Sequence, residues 1–306
     1  MDGCVGYKGV SIFRATAPLA SGAGLAPGSS HISSIADTIP VDDDATIMAT
    51  VAVPQLSVSD LDVEGNLDAI AARVAALPDG VDVAVFPEYA LTGFVADERV
   101  EAVALDRDGP ELDRVRAVAD ANDLAVLAGY VEHGASDGSL YNALAYVDPN
   151  GDTTVYRKRH LWGRESDLLT SGDERVTVET PAGSTGLLTC YDLNFVDESA
   201  ALAAERVDAL FVAGAWPAAH SENWRLLLRA RALDGVRWVV GAGRTGARDL
   251  AEAPSTEYAG RSAIVRPDGH VTAALNRDER DLIAELDPAV LADQREFIPV
   301  LDDHGE

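Results

Sequence analysis

The 306-residue chain is poor in cysteine, methionine and lysine, with two of each. Two cysteines cannot build a disulfide framework, so the sequence predicts a reducing compartment, the cytoplasm. No run of about 18 apolar residues occurs, which excludes a membrane-spanning helix. The N-terminus has no basic start leading into an apolar stretch, so no secretory signal is expected. Basic residues are scarce too: 24 Lys and Arg stand against 51 Asp and Glu, for a net charge of -27. Nucleic acid and anionic membrane both select basic surfaces, so neither is expected as a partner. The six histidines show no close pairing such as HxxxH, so no metal site is expected.

The lysine deficit is the most informative of these absences. Lys8 and Lys158 are the only two lysines. An acidic surface that keeps arginine and loses lysine resembles that of proteins from salt-loving organisms, a haloarchaeon above all. A general surface role does not explain why Lys158 survives.

The apolar content of 47% is ample for a core. Residues 1–45 are rich in Gly, Ala, Ser and Pro and show no period, so they read as disordered or loosely attached. Met48, the only internal methionine, stands directly before the first regular segment. It is expected to be the true start, with the residues before it an over-extended gene start. Residues 46–306 show no compositional break and read as one domain. IMATVAVPQ predicts a buried strand ended by Pro54, and 62–77 an amphipathic helix with Leu67, Ile70, Val74 and Leu77 on one face. Strands follow at 81–86, 124–132, 140–147, 153–157, 176–178 and 184–189, with a helix at 111–121, loops at 97–110 and 158–172, and a hairpin-like HGASDG connection. Helices at 199–206 and 222–234 then alternate with strands at 209–213 and 236–241. A hairpin (258–266 and 270–275), a strand (281–286) and a short helix close the chain. Strands interleaved with helices and hairpins make the class α/β (or α+β) with layered sheets.

Three residues stand at strand ends, where loops converge on a cleft. Glu88 follows VAVF, Lys158 follows TTVYR, and Cys190 follows GLLT. Alone, Cys190 reads as a small buried hydrophobe, and Lys158 and Glu88 as ordinary charges. Together they have a shared chemistry. A thiol needs a base to become a nucleophile, a carboxylate can shuttle its proton, and a fixed ammonium can neutralise an oxyanion. Tyr141 and Asn142 read as structural, and Trp216 as packing. His160 is an alternative partner for Cys190 and reads as loop support. Gly241, Gly243 and Gly246 spell GxGxxG, but no helical βαβ continuation follows, so a dinucleotide site is not expected.

FPEYALTGF, LYNALAYVDPNGDTTVYRKRHLW, TGLLTCYDLNF and the later GAWP and RARALDG occur in an order and spacing that resemble the nitrilase superfamily, the carbon–nitrogen hydrolases. The resemblance covers 46–290. It implies a four-layer αββα sandwich, commonly a homodimer or higher homo-oligomer. It implies Glu88 as general base, Lys158 as oxyanion stabiliser and Cys190 as nucleophile, with Glu165 as a second glutamate and the Tyr191 N–H as an oxyanion donor. It implies amide hydrolysis on a small-molecule substrate with neither metal nor organic cofactor. Nitrile or N-carbamoyl amine hydrolysis uses the same residues and stays open, as does a non-catalytic binding homologue. One departure is Val196-Asp197, where the family commonly has Pro-Glu; it bears on where the next helix starts.

Overall fold

Strand sequences such as ATVAVPQ and ALFVAG carry apolar side chains on both faces, so each sheet must be covered twice. The computed structural model, which describes residues 48–135 and 138–303, shows how this is met. The chain runs β1 (Ala49–Gln55), α1 (Val63–Val74), β2 (Val83–Val85), α2 (Pro110–Asn122), β3 (Ala125–His133), β4 (Leu140–Val147) and β5 (Thr153–Arg157). It continues through β6 (Thr177–Thr180), β7 (Gly183–Thr189), α3 (Val196–Ala204), β8 (Ala209–Gly214), α4 (Ser221–Gly235) and β9 (Trp238–Gly243). A short pair, β10 (Ala247–Arg248) and β11 (Thr256–Glu257), precedes β12 (Ala263–Val265), β13 (Val271–Ala274), β14 (Arg280–Leu286) and α5 (Pro288–Phe297). The extension 1–45 and the tip of the HGASDG connection lie outside the described residues.

Two six-stranded sheets form, ordered β14-β1-β2-β3-β4-β5 and β13-β12-β9-β8-β7-β6. In each, a parallel centre (β1-β2-β3 and β7-β8-β9) is flanked by antiparallel strands. The strand period of two splits the side chains between layers. Val51, Val53, Val83 and Val85 meet Leu187, Phe211, Val240 and Ile264 in the core between the sheets. Their neighbours Ala52, Ala84 and Val126 face outward onto Leu67, Ile70 and Val74 of α1 and Leu112 and Val115 of α2. Leu188, Leu210 and Val212 face outward onto Leu202 of α3 and Trp224 and Leu228 of α4. Each such aliphatic side chain, fully buried, contributes about 1.5–3 kcal/mol. The result is the expected αββα sandwich.

Several boundaries differ from the sequence reading, and two of them have a clear physical cause. Pro54 lies inside β1, opposite Asp281 of β14, where pairing with β2 has already stopped at Ala52. A missing N–H is tolerated at such a place. Helix α3 begins at Val196, three residues before the expected Ser199, and carries Asp197 and Glu198 in its first turn. Carboxylates there favour the helix dipole, so the start does not depend on a proline.

Candidate active site

Cys190 terminates β7 with φ +48°, a left-handed conformation that costs an L-residue roughly 1–2 kcal/mol. A short 3-10 turn, Cys190–Asn194, follows it. Asp192, fully buried, holds that turn to the segment after β5. Its carboxylate accepts from Thr189 N at 2.9 Å, Tyr156 OH at 2.7 Å and His160 N at 3.0 Å. The His160 ring nitrogen Nδ1 lies 3.0 Å from the same carboxylate, and the ring stacks on Phe195. His160 therefore supports the cysteine turn and is not its partner.

Glu88 follows β2, and the next residue, Tyr89, also has a left-handed φ, +58°. This loop presses on β3 at Gly129, where a Cβ would come within 2.5 Å of Tyr89 N. Only glycine permits the approach. Lys158 follows β5, pinned by its N–H to Asn142 O at 2.7 Å.

The three segments deliver one buried network. Lys158 Nζ donates to Glu88 Oε1 at 2.8 Å and to Glu165 Oε1 and Oε2 at 3.1 and 2.9 Å. Glu88 Oε1 also accepts from Asn142 Nδ2, and Oε2 from Ala215 N, both at 2.8 Å. Glu165 accepts further from Tyr89 OH at 2.5 Å and Trp162 N at 2.7 Å. Lys158, Glu88 and Glu165 are each no more than 5% exposed.

The charges set the protonation states. Burial pulls the Lys158 ammonium down, but Glu88 and Glu165 outweigh it and hold it well above its ordinary range. Burial, then the Glu88 charge, push the Cys190 thiol well above its usual value, against the opposing pull of Lys158. Burial and the charges of Glu165 and Glu88 keep Tyr89 a neutral phenol. The resting site is therefore a neutral thiol beside an ammonium.

Glu88, Lys158, Glu165 and Cys190 line one cavity of about 620 Å³, walled further by Phe94, Pro217, Ala218 and Tyr258. A smaller cavity of about 210 Å³ also reaches Cys190 and is lined by Tyr191, Trp216 and His220. Trp216 packs on Trp224 and only borders this second space. Gly241 and Gly243 lie in β9, and no helix follows them. A Cβ on Gly243 would meet Gly260 O at 2.0 Å, so this glycine serves strand packing.

One sequence expectation needs correcting. Asn142, read as structural, donates to both Glu88 and Glu165. It lies in β4 with its side chain toward the site, whereas Tyr141 faces away under the Arg157 guanidinium. Strand alternation puts the two on opposite faces of β4, and the strand's own sequence does not mark which face holds the site. Tyr89 and Asp192 join the site as well, each close in sequence to Glu88 or Cys190, and no sequence pattern marks them.

The sequence profile of the carbon-nitrogen hydrolase family matches residues 50–296. The chain is 32% identical to an (R)-stereoselective amidase of a Pseudomonas species, over 78% of this chain and 84% of that protein. It is 33% identical to the omega-amidase YafV of Escherichia coli, over 74% of this chain and 86% of that one. Among solved structures, a CN-hydrolase superfamily protein of Xanthomonas campestris, with an arsenic adduct in its active site, superposes with a TM-score of 0.76 at 26% identity, covering 84% of this chain and 97% of that one. Sandwich, profile and relatives agree, and the chain belongs to the carbon–nitrogen hydrolase family.

Proposed function

We propose that this amidase-type hydrolase acts through Cys190, Glu88 and Lys158 on a small carboxamide, giving acid and ammonia. The observation that carries the proposal is the buried ammonium of Lys158, bridging two carboxylates in the cavity that Cys190 enters. Glu88 takes the thiol proton as Sγ attacks the amide carbonyl. The oxyanion forms against Lys158 and the Tyr191 N–H. The C–N bond breaks as protonated Glu88 gives its proton to the departing ammonia, and a thioester remains. Water then gives a proton to Glu88 and adds to the carbonyl. The C–S bond breaks, and the proton returns to sulfur.

Glu165 has no acid–base part in this scheme. Its carboxylate holds Lys158 through both oxygens and is itself fixed by Tyr89 and Trp162. Asn142 orients both carboxylates.

The test is acid-quenched mass spectrometry during turnover of a slow amide. An acyl adduct is expected on the wild-type chain and none on Cys190→Ala, which should keep its melting temperature and lose turnover. Turnover by Cys190→Ala, or an adduct on another residue, would remove the cysteine from its role.

The same reading includes a homodimer in a high-salt cytoplasm. Leu226 and Leu233 of α4 are exposed, a helix face suited to pairing with a second copy. A dimer that sediments as a monomer after Leu226→Glu would bear this out; a wild-type monomer would end it.

A further inference from the structure

Cys190 stands between two spaces, and hydrolysis of a primary amide needs only one of them. The main cavity, about 620 Å³, holds Glu88, Lys158 and Glu165. Its other charged groups are paired within the protein: Arg248 with Asp60 at 3.3 Å, Glu257 with Arg277 at 2.7 Å and Arg164 with Asp167 at 3.5 Å. The small cavity, about 210 Å³, differs in kind. Three aromatic side chains line it, Trp162, Tyr191 and Trp216, and none of its lining residues is Asp, Glu, Lys or Arg. His220 and Asn223 line it from exposed positions, and among the described residues neither side chain has a hydrogen-bond partner. A drug-sized ligand usually fills about 300–1,000 Å³, so this space suits a single substituent.

The segment Ala215–Pro217 joins the two spaces. Ala215 lines the main cavity, Trp216 the small one, and Pro217 and Trp162 both. Ala215 N donates to Glu88 Oε2 at 2.8 Å and, by hydrogen bonding, also favours the Cys190 thiolate. The general acid and the nucleophile therefore meet at this segment. When sulfur adds to an amide, the carbon bears an oxygen, a nitrogen and the acyl chain. The oxygen faces Lys158 and the Tyr191 N–H. The nitrogen must face Glu88, which gives it a proton. Anything attached to that nitrogen then starts beside Ala215, one residue from the small cavity. The acyl chain keeps the larger space.

We propose that the small cavity is a subsite for a substituent on the departing nitrogen, so that the protein cleaves secondary amides of small aromatic amines. The inference rests on the amidase reading of Cys190 and goes beyond it to the nitrogen side of the substrate. The C–N bond breaks, and the proton that Glu88 took from sulfur goes to nitrogen. The free amine leaves in place of ammonia, and the acyl group stays on sulfur as the thioester. Walls of Trp162, Tyr191 and Trp216 suit an aryl ring, which gains from stacked and edge contacts with other aromatic rings. A lining without carboxylate, ammonium or guanidinium favours a neutral ring over a charged group.

Propionamide and N-benzylpropionamide would be assayed by propionate release with wild type, Asn223→Phe and Asn223→Ala. Asn223 is exposed in the first turn of α4 and has no side-chain bond to lose, so phenylalanine there should fill the subsite in a folded chain. Melting temperatures check the folding. The wild-type kcat/KM should favour N-benzylpropionamide by at least about tenfold. Asn223→Phe should cut that preference by about tenfold or more, chiefly through KM, and Asn223→Ala should not. A wild type that cleaves propionamide but not its N-benzyl derivative would overturn the proposal and leave the amidase reading standing. Equal losses on both amides in Asn223→Phe would overturn it too. If the wild type hydrolyses no amide at all, the amidase reading fails separately. Calorimetric titration of N-benzylpropionamide into Cys190→Ala then decides for the cavity: binding that disappears in Cys190→Ala/Asn223→Phe supports the subsite, and absent or unchanged binding refutes it.

Discussion

Cys190 shows how far a residue's state depends on its neighbours. Burial comes first and Glu88 second in raising the thiol; Lys158 opposes both. The free enzyme should therefore form thiolate only above the ordinary cysteine value of 9.0. Glu88→Gln removes the negative charge beside the thiol, so the titration should move to lower pH even as turnover is lost. Thiolate absorbance against pH, in a Cys4→Ser background, checks this. An upward or absent shift would mean that Glu88 does not face the sulfur as described. Lys158 makes a complementary case. Its three hydrogens meet three carboxylate oxygens at a position only 1% exposed. A guanidinium is broader and planar, so Lys158→Arg should lower kcat by about 100- to 1000-fold. The melting temperature tells this apart from unfolding, and near-normal kcat would take Lys158 out of the oxyanion role.

At the level of elements, the site is assembled by strand ends of both sheets. Asp192 ties the turn after β7, in one sheet, to the segment after β5, in the other. Asp192→Asn would turn an amide NH₂ against a backbone N–H, that of Thr189 or that of His160, costing about 1–3 kcal/mol. It should also lower kcat, because the strained Cys190 loses its tether. Denaturant melts alongside kcat measure both, and a stable, fully active variant would show the tether to be dispensable. Much of this scale was legible in the sequence. Apolar runs such as ALFVAG mark the strands, and Leu67, Ile70 and Val74 mark the buried face of α1. Glu88, Lys158 and Cys190 are legible because each ends a strand inside an extended motif. Glu165 could be named only by resemblance, since GRESD reads equally as a surface turn; its role depends on Tyr89 and Lys158 reaching it. The role of Asn142 is not legible in the sequence, because facing is a property of the sheet, not of the strand alone. The Asp60–Arg248 contact was illegible, because 188 residues separate its partners and no local pattern joins them.

For the whole molecule, surface and interior follow different electrostatic rules. The charge of -27 makes the compact state repel itself in dilute buffer. Raising salt from about 0.1 M to about 1 M shortens the screening length from about 10 Å to about 3 Å. The melting temperature should climb over that range with potassium chloride, and scanning calorimetry measures it; a flat or falling curve would show that surface repulsion does not limit stability. The buried Lys158 network, at no more than 5% exposure, is sheltered from the same ions. This shelter, with the scarcity of lysine, makes the protein a convenient object for magnetic resonance. Feeding cells nitrogen-labelled lysine would place label at two side chains only, Lys8 and Lys158. The Lys158 ammonium, slow to exchange its protons with solvent, would then stand out as an isolated signal. Its shift as an amide binds, acylates and leaves would report each stage of the reaction from inside the site, with no probe added to the protein.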